Sequence, residues 1–231
     1  MKVSCIIASY NRPKWVRQAI KSIADQTHKD HQLVVIDESD VFDINEAVKE
    51  FALPDVAVRH FKVTPKQRAY QNRLSINLNI GLALATGDLV CFLADDDYMY
   101  PTWFESAVKF FTENPKISAG YGKLVYSNTD HMEFTETPAP VNLRFFPGSL
   151  DDPFNKLDHN QGIHRRIDPP LRWPEHPDLI GGPDAYYYRE VSKKHRFHAI
   201  EAWAAVKRVH KKNLQLSIDQ YKQGSLGGPR E

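Results

Sequence analysis

Through the first hundred residues, short apolar runs alternate with segments of helical periodicity, and that alternation limits the chain to a few architectures. VSCIIAS, residues 3 to 9, has the length of a buried strand and ends in the turn Tyr-Asn-Arg-Pro. Val16, Ala19, Ile20 and Ile23 then fall on one helical face. QLVVIDES gives a second strand, Asn45 to Leu53 a short helix closed by Pro54, and VAVRHF a third strand. From about Lys66 to Ala85 the spacing predicts one longer helix that turns Leu74, Asn77, Leu78, Gly81 and Leu82 to a sheet, with Gly87 as its C-terminal cap. LVCFLA is the fourth strand. This cadence predicts a parallel sheet with helices packed on its faces, an α/β fold.

The second half is less regular. Pro101 opens a helix whose apolar face runs from Trp103 to Phe111 and breaks at Asn114-Pro115, and ISAGYGKLVYS resumes β character. Residues 128 to 183 hold most of the prolines, which predicts loops around a few strands such as MEFTET and the region near Ile163. Such a half caps a nucleotide-binding half rather than folding alone, and 231 residues suit one α/β domain. The tail GSLGGPRE, 224 to 231, is expected to be disordered.

Thirty basic against 29 acidic residues leave a net charge of +1, which gives no global field for nucleic acid or an anionic membrane. The two cysteines, Cys5 and Cys91, sit inside apolar runs and read as buried thiols, a disulfide requiring those runs to be neighbours. The apolar run near the amino terminus is too short for a signal peptide, and no later run reaches the length of a membrane span. A soluble, cytoplasmic protein is expected.

FLADDDYMYP places Asp95, Asp96 and Asp97 directly after the fourth strand. Adjacent carboxylates repel and raise one another's pKa unless a cation or a set of donors compensates them. In an open α/β sheet the ligand crevice lies at the carboxyl ends of the strands, so Ala8-Ser9-Tyr10, Asp37-Glu38 and the three aspartates are expected to meet there. Helix capping requires one acceptor, and three are present. The composition suits a hard divalent cation with oxygen ligands and positions left for phosphate.

SYNRP, the spacing of Asn79, Gly81, Ala85 and Gly87, and DDDYMYP, in this order, resemble glycosyltransferase family 2 on the GT-A type Rossmann-like fold. Within the family the chain is most similar to the bacterial spore-coat polysaccharide glycosyltransferases, from about residue 2 to 195, including LDHNQGIHR and IGGPDAYYY. The resemblance implies a nucleotide-binding half over 1 to 100 and an acceptor-binding half over 101 to 220. It implies a nucleotide-diphosphate sugar donor (UDP- or TDP-linked), a carbohydrate or other hydroxyl acceptor, and manganese or magnesium. Ala8 and Ser9 would border the base, Asp37 help hold it, and Arg73 face the nucleotide or its phosphates. Asp95 would reach the ribose or the metal, and Asp96 and Asp97 the metal. Two departures stand out: Ala94 replaces a common acid, and Leu78 replaces a common arginine whose charge Arg73 would carry.

The resemblance also places the catalytic base at Asp184, in the first turn of a helix after Gly181-Gly182-Pro183, where the macrodipole lowers a carboxylate's pKa. A carboxylate opposite the leaving group gives inversion without a covalent intermediate. Asp158, His159, His164 and Arg165 belong to a similar segment, and strand alternation would send Asp158 and His164 to one face. Arg208 and His210 resemble an Arg-x-His element that reaches phosphate or metal, although AWAAVKRVHKKNLQL also reads as a helix with a solvated basic face. Tyr98 and Tyr100 are expected to line the site, whereas Tyr186 to Tyr188, Trp173 and Trp203 read first as core. Two other functions fit less well: a nucleotidyltransferase, which usually presents a glycine-rich loop where ASYNRPK stands, and a non-catalytic nucleotide- or carbohydrate-binding module.

Overall fold

The computed structural model describes residues 1–127, 143–176 and 182–208. Strands β1 (Val3–Ser9), β2 (His31–Asp37), β3 (Val56–His60) and β4 (Leu89–Ala94) form the parallel block, in the order β3-β2-β1-β4. Helices α1 (Pro13–Ala24) and α2 (Ile44–Lys49) join the first three strands. Between β3 and β4 the single long helix expected from the spacing is two: α3 (Pro65–Tyr70) and α4 (Arg73–Leu84). The break is local chemistry. Thr64 and Gln67 form a capping box that starts α3, Gln71 adopts extended backbone, and the Asn72 side chain accepts from the Ser75 amide to start a new helix.

Beyond β4 come β5 (Tyr98–Met99), α5 (Trp103–Glu113), β6 (Ala119–Ser127), β7 (Leu143–Arg144), β8 (Ser149–Leu150), β9 (Gly162–Arg165), α6 (Pro183–Ser192) and β10 (Phe197–Arg208). β9 runs antiparallel between β4 and β6, so one mixed sheet continues from the first half into the second, ending in β10 and β5. The segment AWAAVKR is strand, not helix, and pairs with β6. MEFTET and GSLGGPRE lie outside the described residues.

Strand alternation divides the core between two faces. Val3, Cys5, Ile7, Leu33 and Val35 pack with residues of α1, α2 and α5, while Ile6, Val34, Ile36 and Phe92 pack with α4, α6 and Trp173. Cys5 and Cys91 are opposite one another on neighbouring strands as buried thiols without a disulfide. Among the described residues, no helix is long and apolar enough to cross a membrane.

Gly81 and Gly87 are among the glycines that mark close approach. α4 ends on Ala85 in extended backbone, so Gly87 is not its cap; a Cβ there would lie 2.6 Å from the Ser4 amide nitrogen. A Cβ on Gly81 would lie 2.3 Å from Ile6 Cγ2, which explains how α4 lies flat on β1. Gly81→Ala is expected to cost about 1–3 kcal/mol in denaturant unfolding through overpacking. In a double-mutant cycle, Ile6→Ala, which removes the clashing methyl, recovers part of that loss.

Candidate active site

In the parallel register Ser9 is level with Asp37 and Ala8 with Ala94, so β1, β2 and β4 end together. Their ends, α3–α4, the Asp158–Asn160 loop, the start of α6 and the end of β10 enclose a cavity of about 430 Å³. This is a ligand-sized volume at the place where open α/β sheets bind nucleotides.

The aspartates leave β4 in a turn closed by the Asp97 amide donating to the Ala94 carbonyl. Arg12, at the N-terminus of α1, places Nη1 2.8 Å from Asp95 Oδ1 and 2.6 Å from Asp96 Oδ2. Asp95 also accepts from the Tyr10 amide at 3.1 Å. Burial pushes the Asp95 pKa up to about 6, the Arg12 charge opposing and Asp96 adding to the rise. Asp97 accepts from Asn160 Nδ2 and from the Arg208 amide, each at 2.7 Å. Burial, with Asp96 beside it, holds Asp97 well above the ordinary carboxylate range.

Asp37 does not line the cavity. Alternation puts it on the side of Leu33 and Val35, where it accepts from Ser39 Oγ at 2.6 Å and pairs with His60 at 2.9 Å. Glu38, one residue on and past the strand's end, lines the cavity instead. Its carboxylate is held by Arg68 Nη1 at 3.1 Å and by Arg73 Nε at 2.8 Å. The Arg68 guanidinium also lies 3.4 Å from the Tyr10 ring centroid. Arg73, Ala8 and Ser9 line the cavity, and the buried Ser9 hydroxyl has no hydrogen-bond partner among the described residues.

Asp184 also lines the cavity, following Pro183 in the first turn of α6 and partly exposed. Its pKa runs opposite to the helix-dipole expectation. Burial and then the Asp158 charge raise it to about 6, against the Lys207 charge, because desolvation outweighs the terminal dipole here. Asp158 is in a loop and not on a strand, so it shares the cavity with His159 rather than a face with His164. Burial works against Asp158, but Lys207 Nζ at 2.5 Å holds its pKa below the usual value. His159 is pushed down to about 4 by burial and is neutral at physiological pH.

Three other expectations are corrected by position. His164 is in β9 outside the cavity; its Nε2 meets the Tyr187 hydroxyl at 2.9 Å, and burial lowers its pKa to about 4. Arg208 is buried behind the acidic turn, donating from its side chain to the Asp96 carbonyl and Gln18 and lying over Tyr98. It therefore braces the turn from behind. Tyr98 and Tyr100 are also buried away from the cavity, beside Val125, Val206 and Trp203. Trp173 and Tyr187 stack at 4.6 Å in the core, and His210 lies outside the described residues. Glu38 is where the strand-end argument expects it, in the crevice, whereas Arg12, Asn160 and Lys207 carry no sequence expectation of their own; Arg12 is within SYNRP and Lys207 within a run that reads as solvated.

The donor set fits a divalent ion shared with a ligand. Among the described residues no three His, Cys, Asp or Glu side chains surround one point. Asp95 and Asp96 nevertheless converge on a single cationic nitrogen, so two carboxylate oxygens are already aimed at one positive charge.

A parallel β3-β2-β1-β4 block with acids at the end of β4, continued by a mixed sheet, defines an α/β fold of the GT-A type. The chain belongs to glycosyl transferase family 2, whose model matches residues 4–169. Protein CgeD of Bacillus subtilis is 28% identical over 169 residues, 71% of this chain and 38% of its own length. S. aureus TarS 1-349, solved in complex with UDP, superposes with a TM-score of 0.71 at 19% identity, over 90% of this chain and 61% of that one. The mannosyltransferase PcManGT from Pyrobaculum calidifontis, in complex with GDP-Man and Mn2+, gives a TM-score of 0.60 at 17% identity, over 99% and 65%. The chain spans well under half the length of the curated relatives CgeD and an uncharacterized glycosyltransferase of Rickettsia felis.

Proposed function

We propose that the protein is an inverting, divalent-metal-dependent glycosyltransferase that moves a sugar from a nucleotide-diphosphate sugar to an acceptor hydroxyl by direct displacement. The observation that supports this best is that the Asp95–Asp96 pair and Asp184, which come from the end of β4 and the start of α6, line one cavity. Charge adds to it. Six carboxylates (Glu38, Asp95, Asp96, Asp97, Asp158 and Asp184) line that cavity against four cations, Arg12, Arg68, Arg73 and Lys207. A diphosphate entering such surroundings needs added positive charge, which manganese or magnesium supplies while stabilising the leaving group.

Asp95 and Asp96, whose oxygens already converge on one cationic nitrogen, are the residues that best fit the ion, and Asp97, each of whose oxygens accepts one hydrogen bond, stands beside them. Ala8 and Ser9 border the base, and Glu38 takes the base-holding role first expected of Asp37. Arg73, fixed by Glu38, offers fork geometry to the nucleotide or its phosphates. Asp184 accepts the proton of the acceptor hydroxyl as that oxygen attacks the sugar carbon, and attack from the side opposite departure inverts the anomeric centre. The donor is a UDP- or TDP-sugar, and the acceptor is a carbohydrate or another hydroxyl compound. A nucleotidyltransferase is disfavoured because the turn after β1 carries no glycine.

A base works only when deprotonated, so transfer rate is expected to rise with pH through about 6, the Asp184 value, and to level off above it. A rate that falls from pH 5 to 7 contradicts the assignment. The function itself is tested by a thermal-shift panel of nucleoside diphosphates with and without Mn2+ or Mg2+. A stabilisation that needs both partners is expected, and its absence across the panel overturns the reading.

A further inference from the structure

Arg12 has no part in the roles above, yet it occupies the point on which they depend. Its Nη1 is within 2.8 Å of Asp95 Oδ1 and 2.6 Å of Asp96 Oδ2, both carboxylates being nearly buried. Oxygen–cation distances around hard divalent ions are about 2.0–2.6 Å. One guanidinium nitrogen therefore stands where an ion bridging these two oxygens would stand, and the two cations exclude each other.

The backbone beneath Arg12 is anchored. Asn11 has a positive φ of 51°, its amide donates to Ser39 Oγ at 2.9 Å, and its side chain accepts from the Asp40 amide at 2.8 Å. Pro13 then starts α1. A change of partner by Arg12 is thus a swing of the side chain alone, and that side chain is 26% exposed and lines the cavity. Guanidinium remains charged at any physiological pH and matches phosphate oxygens as well as it matches carboxylates.

Resting on the reading of this cavity as a donor site, we propose that Arg12 is a tethered competitor of the divalent ion. It holds Asp95 and Asp96 until a nucleotide diphosphate arrives, then passes from the carboxylates to the diphosphate and leaves the acidic pair to the ion. A tethered cation acts at a high effective concentration, so the ion alone binds weakly. The diphosphate gives Arg12 a second partner, so nucleotide and ion favour one another's binding, and the coupling is reciprocal. Arg12 is in this account a substrate-contacting residue that links ion entry to donor entry.

The test is direct titration of Mn2+ into the whole protein, read by the loss of the free Mn2+ paramagnetic resonance signal, without nucleotide and with UDP or GDP. Wild type is expected to bind Mn2+ weakly alone and at least about tenfold tighter with the matching nucleotide, within the usual range of coupling. Arg12→Gln is expected to bind Mn2+ alone about tenfold tighter than wild type and to show a smaller nucleotide enhancement, the part that remains coming from diphosphate oxygens that ligate the ion directly. Arg12→Lys, which keeps a cation on the tether, is expected to stay near wild type and shows whether any change in Arg12→Gln comes from charge. Unchanged or weaker Mn2+ binding in Arg12→Gln, with nucleotide-dependent binding intact in wild type, overturns this proposal and leaves the proposed function standing. Metal-free UDP or GDP binding in wild type that Arg12→Gln abolishes overturns it too, because Arg12 would then replace the ion. No binding of either nucleotide by wild type, with Mn2+ present, removes the proposed function and this inference together.

Discussion

Asp184→Asn is expected to lower the rate of sugar transfer by about 10²–10⁴-fold, the usual contribution of a general base. The amide keeps the size of the side chain and accepts no proton. Asp184 is outside the Arg12 and Glu38 ion pairs, so binding of a nucleoside diphosphate with Mn2+ should stay within a few-fold of wild type. Stability moves the other way. A carboxyl whose folded-state pKa is about 6, above an unfolded value of about 3.9, holds its proton more tightly in the fold. Folding is then increasingly penalised as pH rises from about 4 through 6, so at pH 8 the Asn variant should melt at the same temperature or higher. Lost activity with kept binding and undiminished stability separates a base from a structural carboxylate. A fully active Asp184→Asn enzyme removes the assignment.

Asp96→Asn is the second large effect. Asp96 is the aspartate that pairs with Arg12 through its side chain and with Arg208 through its carbonyl. The carbonyl contact survives substitution, so the turn at the end of β4 should keep its shape while one of two converging carboxylates is lost. Transfer is expected to fall by about 10²-fold or more, as when one electrostatic stabiliser of a leaving group is removed. The dependence of nucleotide affinity on Mn2+ should shrink with it. Equal Mn2+ dependence in Asp96→Asn and wild type contradicts the role given to this residue.

The parallel block was legible because buried strands and their crossover helices impose a repeating apolar pattern, from Val3–Ser9 to Leu89–Ala94. The meeting of strand ends at the aspartates followed from the same pattern. Details set by single residues were harder to read. The break at Gln71-Asn72 depends on an asparagine cap inside a run whose apolar spacing continues. Asp37 and Glu38 are both acids at a strand end, and only the alternation of β2 decides which one faces the cavity. Lys207 and Arg208 differ in the same way: on β10 one lines the cavity with Asp158, and its neighbour goes behind the acidic turn. A reading of that run as helix hides this parity. Asn160, which accepts from the Ala94 amide and donates to Asp97, makes contacts between residues more than sixty positions apart, and no local pattern announces them.

That carboxylates at the end of β4 and a divalent ion together grip a diphosphate is measured most directly by isothermal calorimetry on the purified wild-type chain. UDP, dTDP and GDP would each be titrated with and without Mn2+. Saturable heat for at least one nucleotide, present with Mn2+ and largely lost without it, is the expected result. No heat for any nucleotide with the ion supplied, or equal heat in its absence, would contradict the account.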